Sequence, residues 1–308
     1  MRILLLFSLY IGMFLLGMLV LRKGLFQLSG DKLKEFLSKV TDAPWKGFLS
    51  GTIITGILQS SSAVMVMTVG LVSAGSLTFP QTIGIILGTN IGSTATAEFM
   101  SFSLDRIIVP GIVLGTMLLF IPKSLTRSLG MAFIGISSIF AAMSGFKMLS
   151  SNLTAYPAVN LVLVAMEKNL FLALLIGMAL TALIHSGSAT IGIAMSFLMG
   201  NQLNVDTAIA IMLGSNIGTC ITGYMASIGS GKEAAFTAYA HIWLNVIGVL
   251  AFFPFIHQLQ QAAAYLTDAK ETQLAHASVL FNAATSIIVL PFSHHYARFI
   301  LFLHKPRT

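Results

Sequence analysis

Charge is what this sequence has least of. Of its 308 residues only 9% are Asp, Glu, Lys or Arg, while 56% are hydrophobic; an average soluble domain carries about 25% charge. An ordinary soluble protein is excluded. The alternation of apolar and polar residues in segments of about ten that builds a membrane β-barrel is also missing. Cysteine occurs once, as Cys220, so no intramolecular disulfide can form and the thiol says nothing about compartment. No A-x-A site follows the apolar run after Arg2, which therefore reads as a retained helix rather than a signal peptide. No polar domain presents the basic residues, so nucleic acid is not an expected partner.

Long apolar runs are abundant. Ile3 to Leu21, Ile107 to Ile121, Gly130 to Met148, Leu161 to Ile184 and Ala235 to Ile256 are on the scale of the about 20 residues that cross a bilayer. Their composition, apolar on all faces and rich in Gly, Ala and Met, predicts an all-α integral membrane protein, multi-pass in the cell membrane with the lipid bilayer as its solvent. The net charge of +7 comes largely from Arg22, Lys23, Lys32, Lys34, Lys39, Lys46, Arg298, Lys305 and Arg307. Basic clusters beside spans mark cytoplasmic loops, which predicts cytoplasmic termini.

The chain repeats itself. A shift of 126 residues carries Ser60, Ser62 and Ala63 onto Ser186, Ser188 and Ala189, and "GTNIGST" at 88–94 onto "GSNIGTC" at 214–220. From Gln59–Ala97 against His185–Gly223, 12 of 39 positions are identical without a gap, where composition alone gives roughly a tenth. Half of the identities fall at Gly and polar positions, so hydrophobicity alone does not account for them. Gly51 on Gly177 and Thr55 on Thr181 extend the match upstream. The expected organisation is a single domain over 1–308, with repeat 1 at about 1–125, repeat 2 at about 126–256 and closing helices at about 257–308. Duplicated membrane units with an odd number of crossings insert in opposite orientations, so two inverted-topology repeats are expected. Each should hold a re-entrant helical hairpin, with arms at Trp45 to Leu58 and Ala63 to Val72 and its tip at Gln59 to Ser62 in the first copy. Each should also hold a broken transmembrane helix, the break expected at "GTNIGST" because two glycines flank Asn90.

Non-helical backbone at membrane depth survives only where protein or water satisfies it, so two tips and two breaks predict a polar cavity. Half-helix N-termini and the hydroxyls of Ser60, Ser61, Ser62, Ser186 and Ser188 suit an oxyanion. Hydroxyls, freed carbonyls and the side-chain oxygens of Asn90 and Asn216 equally suit a small hard cation such as Na⁺. Neutral donors are expected here rather than a fixed charge, which is costly in a membrane and could hold an anion too tightly for release.

The paired Q-S-S-S-A and G-x-N-I-G-T elements resemble those of the sodium-dependent phosphate cotransporters, the type II Na⁺/Pi symporters and their short bacterial members. "FLLGMLVLRKGL" at 14–25 is similar to that family's first helix, "KEAAFTAYAHIWLNVIG" at 232–248 to the element after its second repeat, and "LAHASVLFNAATSIIVLPF" at 274–292 to its closing segment. The resemblance implies secondary active transport of inorganic phosphate coupled to Na⁺ by alternating access, with no other cofactor. The member implied is a short one without the C-terminal regulatory domain. It also implies a substrate and ion site at Gln59, Ser60, Ser61, Ser62, Thr89, Asn90, Ser93, Thr94, His185, Ser186, Ser188, Ser215, Asn216 and Thr219. A homodimer is compatible with this reading, as is a carrier or exporter of another oxyanion, or an ion channel. His185 stands where the family has Gln, Gly187 where it has Ser and Cys220 where it has Thr. Imidazole titrates near neutrality, so His185 is expected to make transport pH-sensitive.

Carrying a divalent phosphate into a cell at about 100 mV, negative inside, costs about 4.6 kcal/mol at about 2.3 per charge. Two Na⁺ cancel that charge, and each tenfold gradient adds about 1.4 kcal/mol per ion; two or three Na⁺ per phosphate follow.

The remaining polar residues divide. Glu98, about two turns beyond Asn90, is an intramembrane carboxylate with an ion or gating role in view; a salt bridge to Arg106 or a place at the membrane edge is the competing expectation. His241, Asn245, His276 and Asn282 read as structural hydrogen bonding, Glu167 and Lys168 as the interfacial start of a helix. Gly51, Gly70, Gly84, Gly111, Gly135, Gly177 and Gly248 read as close helix packing. An enzyme is not expected, because no G-x-S-x-G element surrounds Ser188.

Overall fold

A computed structural model describes residues 2–39, 43–102, 104–153 and 155–304, with no side chains described for 2, 4, 29–39 and 151. The basic side chains of Lys32, Lys34, Lys39, Lys305 and Arg307, on which the expected cytoplasmic orientation of the termini leans, lie outside the described residues. The regular elements within them are all helices. In chain order these are α1 (Arg2–Lys39), α2 (Pro44–Leu58), α3 (Ser61–Ser73), α4 (Phe79–Ser101), α5 (Ile108–Leu119), α6 (Ser124–Leu153), α7 (Pro157–Lys168) and α8 (Leu170–Ile184). There follow α9 (Gly187–Met199), α10 (Val205–Gly218), α11 (Cys220–Ser227), α12 (Lys232–Phe252), α13 (Ile256–Ala264), α14 (Lys270–Val289) and α15 (Ser293–His304).

Among the described residues five segments are long and apolar enough to cross a membrane: Leu5–Leu28, Ser124–Ser150, Val205–Ser227, Lys232–Ala264 and Lys270–His304. A sixth appears if Phe79–Ser101 and Asp105–Leu119, bent by 85°, form one broken span. Two expected spans are revised. Ile107 to Ile121 supplies only the 12-residue α5, and Leu161 to Ile184 is interrupted at Asn169. There the Asn169 side-chain oxygen accepts from the backbone N–H groups of Phe171 and Leu172 and starts α8. Lys168 consequently ends a helix instead of opening one.

The 126-residue register is written into the backbone. α2 maps onto α8 and α3 onto α9 residue for residue, and α4 onto the combined span of α10 and α11. Both hairpins turn on a residue in the left-handed region, Gln59 at φ 51° and His185 at φ 56°. A side chain beyond Cβ makes that conformation uncommon, yet it reverses the chain in one step, and it recurs at Gly75 and Asn201 after the second arms. The arms, 15 and 13 residues long in each copy, reach about 20 Å at 1.5 Å per residue, short of about 30 Å of hydrocarbon.

Glycine lets the helices approach. A methyl group at Gly88 would overlap the Phe48 carbonyl of α2, and one at Gly214 would overlap the equivalent Leu174 carbonyl of α8. At Gly92 it would stand 2.6 Å from Thr55 Cβ, and at Gly218 2.7 Å from Thr181 Cβ. The seams α2 to α4 and α8 to α10 are therefore the same seam built twice. Gly70 differs from the expectation of close packing, having no neighbour within 4 Å of a Cβ position.

This seam also corrects the expected break at 88–94. α4 runs unbroken through it, because Gly88 and Gly92 serve close contact rather than flexibility. Ser93 and Thr94 turn their hydroxyls back onto the carbonyls of Asn90 and Ile91 within the helix. The sharp bend comes after Ser101, and the second copy has only a one-residue interruption at Thr219 between α10 and α11. The largest apolar core joins residues of α1, α6, α8, α9, α10 and α14, with two smaller clusters around α2 to α4 and α12.

Candidate functional site

Each hairpin tip begins a helix with the same device. Ser60 in the first copy and Ser186 in the second are extended N-caps whose hydroxyls accept from the N–H groups of Ala63 and Ala189, at 3.2 and 3.3 Å. That satisfies one of the first N–H groups of α3 and of α9; the others at a helix start have no partner within the helix.

The two tips meet. One cavity of about 40 Å³ is lined from the first copy by Gln59, Ser61, Ser62, Asn90 and Ser93, and from the second by Ser186, Ser188, Ser215, Asn216 and Thr219. A single water needs about 10–15 Å³, so the space exceeds that of one water and admits a small polar solute. Thr96 on α4 and Ser278 on α14 add two hydroxyls. Ser278 sits in the closing segment that the family resemblance already marked, and Thr96 is identical between the copies; those were the signals available for them.

Arg22 of α1 lines the same cavity, and its Nε donates to the Gln59 carbonyl at 3.0 Å. The expectation of wholly neutral donors is corrected by this residue. In the sequence it sits beside Lys23 and reads as part of a cytoplasmic cluster; the structure holds it half-buried against the first tip. Gln59 itself is divided: Nε2 donates to the Gly56 carbonyl at 2.6 Å, while Oε1 is buried with no hydrogen-bond partner. The unpaired acceptor of a cavity-lining side chain suits a cation or the hydroxyl of a protonated oxyanion.

Behind the cavity one side chain ties the copies together. Asn90 Nδ2 donates to Asn245 Oδ1 at 2.7 Å, and Asn245 Nδ2 donates to the Asn216 carbonyl at 2.9 Å and to Cys220 Sγ at 3.1 Å. Asn90 and Asn216 are partners under the 126-residue shift, so Asn245 of α12 bridges equivalent positions. Cys220 is in direct contact with this bridge.

Five residues expected at the site do not line the cavity. Ser60 is buried and occupied as a cap, and Thr89 and Thr94 bond the carbonyls of Ile86 and Ile91 one turn back. His185 is exposed, although it shares the left-handed turn conformation of its half-buried counterpart Gln59. Glu98 pairs with His276 Nδ1 at 2.8 Å rather than with Arg106; the link joins α4 to α14 one residue beyond the cavity-lining Ala97. Gly187, where the family has Ser, has its own cause: a Cβ there would stand 2.8 Å from the Thr219 methyl and 3.0 Å from Ser215 Oγ. Among the described residues no group of three His, Cys, Asp or Glu could hold a metal ion.

A cavity walled by two copies of one serine-rich hairpin can be compared with known proteins. The family model described as Na⁺/Pi-cotransporter matches the chain twice, over residues 13–148 and 143–269, once for each copy. An uncharacterized Bacillus subtilis protein, YqeW, is 43% identical over 301 residues, 97% of this chain and 98% of its own. YjbB of Escherichia coli, whose name assigns it provisionally to inorganic phosphate export, is 22% identical over 285 residues, 92% of this chain and 52% of its own. Human sodium-dependent phosphate transport protein 2B is 30% identical over 132 residues, 41% of this chain and 19% of its own. No solved structure matches the chain significantly. The repeated motif, the shared cavity and the double match agree, and the chain belongs to the Na⁺/Pi-cotransporter family, as a multi-pass helical membrane protein of phosphate transport.

Proposed function

We propose that this protein moves inorganic phosphate together with Na⁺ by alternating access, in the cell membrane, with residues 1–308 acting as one transport domain. The observation that carries the reading is the convergence of both hairpin tips and both G-x-N-I-G segments on one cavity. Phosphate is bound by Ser61 and Ser62 from one tip, Ser186 and Ser188 from the other, and the free N–H groups that open α3 and α9. Na⁺ is held by neutral oxygens, with Gln59 Oε1, unpaired in the ligand-free cavity, as its first ligand; Asn90, Ser93, Ser215, Asn216 and Thr219 supply the remaining polar wall.

The two copies are taken to lie in opposite orientations, with cytoplasmic termini. A hairpin that is short of the full span can close the cavity from its own side, and an inverted pair closes it from either side in turn. Direction is set by gradients, and the phosphate-export name of the Escherichia coli relative favours testing both directions.

The test is uptake of radiolabelled phosphate into proteoliposomes, and its release from loaded ones, with a Na⁺ gradient or with choline in its place. Saturable flux that needs Na⁺ is expected, strongly reduced in Ser61→Ala and Asn216→Ala. Equal flux in Na⁺ and choline overturns the coupling, and unsaturable flux favours a channel.

A further inference from the structure

Arg22 is the charged member of an otherwise neutral cavity: the other fifteen residues that line it carry no ionisable side chain. Its position is not repeated in the second copy, where Met148 stands at the shifted position and is 72% exposed. Neither the pair His257 with Asp206 nor the pair His276 with Glu98 involves Arg22, and no described carboxylate lines the cavity. Glu98, next in sequence to the cavity-lining Ala97, is paired with His276. Arg22 spends one donor, Nε, on the Gln59 carbonyl. A guanidinium has five N–H donors in a planar fork that matches a phosphate edge.

We propose that Arg22 is the charged ligand of the transported phosphate and replaces one coupling cation. The inference rests on the phosphate reading above. A divalent phosphate entering a neutral cavity needs two Na⁺ to avoid leaving net charge in a low-dielectric site, where an uncompensated charge is costly. With a fixed guanidinium in the wall, one Na⁺ completes neutrality. The tether to the Gln59 carbonyl gives the same residue a second consequence. It fixes the guanidinium beside Gln59, so anion and cation are held side by side and each lowers the cost of binding the other.

The experiment measures phosphate KM and the steepness of Na⁺ activation in proteoliposomes for the native protein, Arg22→Lys and Arg22→Gln. Arg22→Lys is expected to keep the native steepness with KM raised a few-fold, since charge remains and the fork is lost. Arg22→Gln is expected to raise KM at least tenfold and to steepen the Na⁺ dependence by one ion. A KM within twofold of native in Arg22→Gln overturns the proposal. So does equal impairment of both variants at native steepness, which would make the Gln59 tether the residue's whole role. If Arg22→Gln does not accumulate, phenylglyoxal labelling of the native protein decides, read at Arg22 by mass spectrometry: phosphate should protect Arg22 at least fivefold, and no protection overturns the contact. Native flux that ignores Na⁺ while phosphate still protects Arg22 sinks the coupling and leaves the ligand assignment standing; native Na⁺-coupled flux with no protection does the reverse.

Discussion

The two hairpins share a backbone and differ in their chemistry. Both turn on a left-handed residue, cap the second arm with serine and pack the following helix through glycine at the same register. At the tips, Gln59 lines the cavity with a tethering arginine beside it, whereas His185 is exposed and the arginine's counterpart is a methionine on the outer surface. Duplication thus preserved what shapes the cavity and released what charges it. Shape needs both copies, since each wall is half the enclosure, but one guanidinium is enough for one anion.

The strongest way to break the comparison is to cut the bridge between the copies. Asn245→Ala leaves the buried Asn90 amide without its partner, at about 1–3 kcal/mol, and removes one donor from the Asn216 carbonyl, which keeps the Thr219 hydroxyl. A fall in melting temperature with loss of transport is expected in detergent and in vesicles. Next come the paired glycines. Gly88→Ala and Gly214→Ala each force a methyl against a backbone carbonyl of the facing helix, an overpacking cost of about 1–3 kcal/mol. If the seams are one seam built twice, the two melting temperatures drop alike; a drop in only one shows that the other helix pair can slide apart.

Exchanging the tip residues sharpens the chemical difference. Gln59→His removes the unpaired acceptor from the cavity and is expected to raise the half-activating Na⁺ concentration about tenfold, equivalent to about 1.4 kcal/mol. His185→Gln, at an exposed position, should change it less than twofold, with the pH profile of uptake unaltered. A pH profile that flattens in His185→Gln would return the imidazole to the site and the pH-sensitive reading with it.

How much of this was legible in the sequence follows from what polar residues mean in apolar surroundings. A Q-S-S-S in a greasy run has no cheap structural explanation, so both hairpins, their tips and six of the cavity-lining residues could be read from the sequence itself, while Gln59, Ser93, Ser215 and Thr219 came with the family resemblance. Glycine in the same surroundings is ambiguous, because it serves both a break and a close approach. Gly88 and Gly92 looked like the first and act as the second. Arg22 was hidden for the opposite reason: a basic residue near a span end has an ordinary meaning as a topological marker, and only the packing of α1 on the first tip gives it another. Asn245 was marked by family resemblance, but nothing local says that it reaches both Asn90 and Asn216.

The smallest expected effect lies one layer behind the tips, where the copies differ by a single hydroxyl. Thr181 donates to Thr190 at 2.8 Å, whereas its counterpart Thr55 faces Val64 at the position equivalent to Thr190 and leaves its hydroxyl buried without a partner. Both threonines press their Cβ against a glycine of the facing helix at the same spacing, so replacement by the isosteric valine changes polarity and leaves volume alone. Thr181→Val removes a satisfied hydrogen bond and should cost about 1 kcal/mol. Thr55→Val removes a buried orphan and should be neutral or stabilising by up to about 1 kcal/mol. Thermal melting of the two variants side by side checks the sign: loss in both would mean that the Thr55 hydroxyl has a partner such as bound water, and that the second layer of the two copies is more alike than their sequences.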